Sequence, residues 1–263
     1  GTSIEEYTDE EFRAFTKEAL DEFGNHPMTP EEWETFVDHV TYVPMSAGPA
    51  GLAEKVEAAR ADLGEGARLL HYLSVPPSAA LTVIGTIRDA GLVAGSRVVM
   101  EKPFGTDLDS AVVLNDHLHE TFDESQIFRI DHFLGKEAAQ NILAFRFANG
   151  LFEPIWNRNF IDHVQIDIPE TLGLGLRSAF YESTGAYKDI VVTHLLQVLA
   201  FVAMEPPTAL EPRAISEEKN KVFRSMLPID PANVVRGQVA GYKDQPGVAP
   251  DSDPDGVVAE SRL

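Results

Sequence analysis

Between residues 67 and 130 the chain alternates short apolar runs with helical stretches, and that alternation leaves it few folds to choose from. Ala67–Val75 (ARLLHYLSV), Ser96–Glu101 (SRVVME) and Gln126–Ile130 (QIFRI) read as core strands. Ser78–Gly91 and Asp107–Thr121 read as the helices between them, with Pro76–Pro77 ending the first strand. Repeated strand–helix–strand units of this length specify a parallel sheet. Upstream, Thr8 and Glu11 are spaced as a capping box for a helix over Asp9–Phe23. A second helix opens at Thr29–Pro30–Glu31–Glu32, with proline in its favoured first position. Thr41–Val43 reads as a short strand and Gly51–Leu63 as a helix.

The rhythm changes after Lys136. Lys136–Phe147 (KEAAQNILAFRF) reads as a helix with Ile142, Leu143 and Phe145 inward. Ile161–Pro169 (IDHVQIDIP) alternates like a strand with one wet face. Tyr187–Met204 is apolar nearly all round, the pattern of a buried helix, and Ser216–Met226 is a further helix. Val234–Ala240 resembles a strand, and the stretch from Tyr242 is rich in Asp, Pro and Gly, as loops and disordered tails are. The expectation is an α/β domain over residues 1–131, then an α+β domain with an antiparallel sheet over residues 132–263.

The function-bearing stretch is RIDHFLGKE, Arg129–Glu137, at the junction of those two halves. Asp131, His132 and Lys136 fall on a strand-to-helix turn at the carboxyl end of a strand, where open α/β sheets bind ligands. A helix N-terminus offers unpaired N–H groups to an anion, and His132 and Lys136 add donors beside it. The same spacing equally suits a solvated turn in which Asp131 caps the helix.

Charge and composition narrow the partners. Lys plus Arg number 21 against 42 Asp plus Glu, a net charge of −21, which argues against nucleic acid and acidic membranes. A phosphorylated small molecule is repelled only at long range, because salt screens beyond about 8 Å. No 18 consecutive residues are all apolar, so no membrane span is expected, and no signal-peptide pattern occurs. The absence of cysteine excludes disulfides and thiolate chemistry and fits a cytoplasmic protein. With no cysteine and no HxxxH pair among the histidines, no metal is expected.

Four ordered blocks carry a family resemblance: VMEKPFG (Val99–Gly105), RIDHFLGKE, RFANGLFEPIWNR (Arg146–Arg158) and GAYKDIVVTHLLQ (Gly185–Gln197). Together they resemble glucose-6-phosphate dehydrogenases over roughly Gly1 to Asp253. The resemblance implies a partial Rossmann-like parallel-sheet domain followed by a partial α+β domain. It implies oxidation of glucose 6-phosphate at C1 to 6-phosphogluconolactone, with NADP as hydride acceptor, in a cytoplasmic homo-oligomer, dimer or tetramer. It makes His194 the general base and Asp131 the carboxylate that holds it. From residues alone, a buried imidazole such as His194 is more often a core residue than a catalyst. The resemblance assigns His132 and Lys136 to the sugar phosphate, Glu170 and Asp189 to sugar hydroxyls, and Lys102 to both sugar and nicotinamide cofactor, before a cis Pro103. Phe133 stands where the family usually carries a tyrosine hydroxyl, and Ile4 where it often carries an arginine for the 2′-phosphate. Trp156 reads as an aromatic anchor between domains, and Tyr187, His194 and Gln197 fall on one helix face by their spacing.

No GxGxxG or GxxGxxG turn occurs, although the resemblance implies such a cradle before the first residue, and the match fades after Asp253. The expectation is therefore a chain truncated at both ends. A glucose–fructose oxidoreductase also carries E-K-P after a Rossmann strand but lacks the D-H-x-L-G-K block. A non-catalytic remnant that keeps the dimerising domain is the alternative from another class.

Overall fold

The computed structural model describes residues 1–64, 66–169, 175, 178–238, 240–253 and 260–261. The chain divides into two compact units, Gly1–Ile130 and Asp131–Leu263.

The first unit holds a parallel sheet in the order β1 (Leu70–Leu73), β2 (Arg97–Glu101), β3 (Ile127–Ile130). Tyr72 lies opposite Val99, and Val99 opposite Phe128. Helices α4 (Pro77–Asp89) and α5 (Leu108–Thr121) are the crossovers. The sequence explains both. On α4 the buried Ala80, Val83, Ile84 and Ile87 follow the i, i+3, i+4, i+7 pattern of a single stripe. On α5 Leu114 and Leu118 do the same, and Asp107 caps the helix by accepting from the Ser110 N–H at 2.8 Å. These stripes meet Val98, Met100 and Ile127 in one core, in which Ile84 and Val98 are wholly buried. β2 is buried along its centre because strands flank it on both sides.

Both upstream capping boxes form, Thr8 with Glu11 on α1 (Asp9–Phe23) and Thr29 with Glu32 on α2 (Pro30–Val37). The next helix, α3, begins at Gly48 and runs to Leu63. The strand expected at Thr41–Val43 is not a regular one. Its backbone instead bonds to the first residues, Val43 N–H to Gly1 O at 3.0 Å and Met45 N–H to Ser3 O at 2.9 Å.

The second unit is mainly helical among the described residues. It comprises a tight 3-10 turn (His132–Gly135), α6 (Glu137–Phe147), α7 (Ser178–Ala186), a π-helical segment (Tyr187–Leu195), α8 (Leu196–Ala203) and α9 (Pro212–Ser225). A two-residue antiparallel ladder pairs β4 (Val234–Val235) with β5 (Glu260–Ser261), and of the strand expected over Val234–Ala240 it covers only those first two residues among the described ones. Residues 161–169 form no strand: alternation gives a half-buried face, but no ladder partner meets them among the described residues. The run Thr184–Ala203 is long and apolar enough by length and hydropathy to cross a membrane. It carries the buried Asp189 and His194, and α8 at its end packs on α6 and α9, which makes it the unit's central helix.

Three further expectations are corrected here. Phe145 is 40% exposed, and Arg146 is the buried residue of that turn of α6. Its guanidinium donates to the Phe201 and Met204 carbonyls, each at 2.7 Å, closing the C-terminus of α8. Trp156 joins that clamp, donating to the Val202 carbonyl at 2.8 Å, so it anchors α8 within its own unit. The described stretch 242–253 is irregular but fastened: the buried Tyr242 hydroxyl and the Ser252 hydroxyl both donate to Glu182 Oε1 at 2.8 Å.

Candidate functional site

Asp131 is the N-cap of the 3-10 turn, its Oδ1 accepting from the Phe133 N–H at 3.0 Å. The capping reading of this aspartate is therefore correct, but for the short turn and not for α6. The N-cap of α6 is Lys136, which makes no side-chain cap, so the anion donors at that end are the N–H groups ahead of Ala139, whose own N–H donates to the Lys136 carbonyl at 3.0 Å. Lys136 and His132 are both exposed at this end.

The carboxylate of Asp131 also meets His194. Its Oδ1 lies 2.5 Å from His194 Nδ1, with the imidazole almost wholly buried and the carboxylate 14% exposed. The contact is a close ion-pair contact, not an aligned hydrogen bond, and Asp131 Oδ2 is buried with no hydrogen-bond partner. The π-helical winding helps to place the imidazole. With i→i+5 bonding, residues five apart stack, so Asp189 and His194 share the buried side at 5% and 2% exposure. The i+7 relation of Tyr187 to His194 belongs to α-helical winding, which this segment does not have. Gly185, at φ 71°, makes the break that separates α7 from the π segment.

Phe133 fills the space beside the imidazole. Its ring stacks on His194 with centroids 5.1 Å apart, and Lys136 Nζ sits 4.5 Å from its centroid on a cation–π contact. The His132 ring meets His194 edge-on at 5.2 Å. A carboxylate oxygen of Asp131 and one ring nitrogen each of His132 and His194 lie within 4.8 Å of one another.

Lys102 lies in the first unit, half-buried, directly after β2 and before a cis peptide bond to Pro103. The turn there is tight: at Gly105, φ 106°, an added Cβ would lie 2.6 Å from the Ala111 nitrogen. Glu170 lies outside the described residues.

The comparisons with known proteins agree on one family. The profile described as glucose-6-phosphate dehydrogenase, NAD binding domain, matches residues 1–141, and the C-terminal domain of the same enzyme matches residues 143–260. The chain belongs to the glucose-6-phosphate dehydrogenase family. A glucose-6-phosphate 1-dehydrogenase of Rhizobium meliloti is 42% identical over 90% of this chain and 50% of its own length. One from Mycobacterium bovis is 38% identical over 96% of this chain and 53% of its own. The crystal structure of the Mycobacterium avium enzyme superposes with a TM-score of 0.87 at 36% identity, covering 97% of this chain and 55% of that one. A glucose-6-phosphate dehydrogenase in complex with its substrate glucose-6-phosphate superposes at 0.82 with 30% identity, over 96% and 55%. The chain thus spans about half the length of these relatives.

One residue of this family member escaped the sequence reading. Lys219 lies on α9, where Arg213, Lys221 and Arg224 are also cationic, and its spacing does not single it out. Its ammonium lies 5.2 Å from the Phe201 ring centroid. Burial lowers its pKa below the usual lysine range, while the negative charge of Asp131 pulls the other way. Phe201 lies seven residues beyond His194 on the same helical run, the one sequence signal that could have found it.

Proposed function

We propose that the chain acts as a glucose-6-phosphate 1-dehydrogenase, oxidising glucose 6-phosphate at C1 to 6-phosphogluconolactone with NADP as cofactor. The single observation that carries this reading is the Asp131–His194 contact at 2.5 Å, next to an uncapped helix N-terminus bearing Lys136. Asp131 favours a proton on Nδ1 of His194 and stabilises the imidazolium, which leaves Nε2 to accept the proton of the C1 hydroxyl. Lys136, His132 and the N–H groups of α6 bind the phosphate. Asp189 and Glu170 take sugar hydroxyls.

The residues that would serve the cofactor lie at the carboxyl edge of the parallel sheet. Gly105 lets the turn after β2 pass close to the Ala111 backbone of α5, and Lys102 supplies the cation at that edge. A nicotinamide cofactor held there would supply the acceptor for the hydride that leaves C1. The relatives named glucose-6-phosphate 1-dehydrogenase support sugar-phosphate oxidation, and those from Arabidopsis and potato, named cytoplasmic, support that location. Assembly into a homo-oligomer belongs to the same proposal. The net charge of −21 favours a small-molecule substrate over nucleic acid or an acidic membrane.

A second reading is sugar-phosphate binding without turnover, since Lys136, His132 and the start of α6 form an anion site that does not need the Asp131–His194 contact. One experiment separates them. Purified protein is mixed with glucose 6-phosphate and NADP+, and NADPH is followed by absorbance while sugar binding is followed by calorimetry. Substrate-dependent NADPH that vanishes with His194→Asn is the expected result. Sugar binding without NADPH supports the second reading, and neither signal overturns both.

A further inference from the structure

We propose that Asp131, His132 and His194 form a binding site for a transition-metal dication of the zinc class. Two imidazoles and one carboxylate within 4.8 Å of each other are a nitrogen-rich donor set suited to zinc or cobalt and poor for magnesium or calcium. Sequence spacing hides the set, because His132 comes from the 3-10 turn and His194 from the π segment.

The geometry is half-built. Bonds of about 2.0–2.1 Å at tetrahedral angles put ligand atoms about 3.3 Å apart. Asp131 Oδ1 and His194 Nδ1, at 2.5 Å, must open slightly, and the exposed His132 must swing in. Asp131 already holds a buried oxygen, Oδ2, with no hydrogen-bond partner, so a metal there satisfies an atom the folded chain leaves wanting. Phe133, stacked on His194, limits the room on one side of the imidazole. Lys219 opposes binding through its charge near Asp131, although its ammonium is directed over Phe201. The metal takes up His194 and so withdraws it from proton transfer, a consequence that rests on the role proposed above. The site itself does not depend on that role.

The test is a metal titration. Protein stripped with chelator is titrated with Zn2+ by calorimetry and with Co2+ by visible absorption. One ion per chain and the intense bands of low-coordinate cobalt are expected. His132→Gln, at an exposed position and checked for folding by circular dichroism, is expected to weaken binding about 10-fold or more. His163→Gln, at an exposed histidine beside Asp162, is expected to change nothing. No saturable binding, or equal affinity in His132→Gln and the unmodified protein, would overturn the site and assign any uptake to scattered surface carboxylates. If the metal binds but His194 proves dispensable for turnover, the site stands and the catalytic role falls.

Discussion

Phe133 shows how one residue type redistributes work within a site. Its ring faces both His194 and Lys136, so it fixes an imidazole and a lysine through contacts that a smaller side chain could not make. A tyrosine here would keep both contacts and add a hydroxyl. One neutral hydrogen bond contributes about 0.5–1.5 kcal/mol, so Phe133→Tyr is expected to lower KM for glucose 6-phosphate about 2–10-fold with kcat little changed. An unchanged or raised KM in steady-state kinetics would mean the hydroxyl finds no phosphate. Lys136→Ala is expected to raise KM for the phosphorylated sugar and to alter activity on free glucose much less. Equal losses on the two sugars would remove Lys136 from the phosphate site. Asp131 and Lys136 could be picked out in the sequence because their motif is contiguous. The pairing of Asp131 with His194 came from family resemblance, and Lys219 was not legible, because only tertiary packing brings α9 onto the helix that carries the imidazole.

At the scale of elements, the unit that reads most clearly is the one whose pattern is self-consistent. Short apolar strands alternating with helices that carry one apolar stripe leave a single solution, and β2, α4 and α5 form as those stripes require. Residues 161–169 fail because alternation describes only one strand, whereas a ladder needs two. Nor does any sequence signal mark the π winding of Tyr187–Leu195, in which hydrogen bonding shifts by one residue without a change in apolar content. Arg146 was invisible for a related reason: a charged side chain on a helix is solvated unless carbonyls await it, and those of Phe201 and Met204 belong to α8. Arg146→Met removes two charge-assisted bonds and strips the helix end. The expected cost is about 2–4 kcal/mol, read as a lower midpoint in urea unfolding. A change below about 0.5 kcal/mol would show that water replaces the guanidinium without loss.

At the scale of the whole molecule, His71 in the first unit is one group that makes stability depend on pH. Burial on β1 lowers its pKa below the ordinary 6.5, while its Nε2 contact with the Leu92 carbonyl at 3.0 Å acts in the opposite sense. A depressed folded pKa means that the unfolded chain binds the proton more readily. Stability is therefore fully present above 6.5 and declines as pH falls from there toward the folded pKa. Unfolding midpoints at about pH 7.5 and about pH 5.5 are expected to differ, and His71→Gln to reduce that difference. An equal difference in both proteins would place the dependence elsewhere.

The claim on which the whole account turns is that Asp131 serves His194 in proton transfer and not merely as a cap for the turn. The most direct measurement is steady-state kinetics of Asp131→Asn with glucose 6-phosphate and NADP+. An asparagine still accepts from the Phe133 N–H, so the cap survives while the charge beside His194 Nδ1 is lost. The account predicts a fall in kcat of about 10²–10⁴-fold with KM changed only a few-fold. A kcat near that of the unmodified protein, with or without a change in KM, would contradict it.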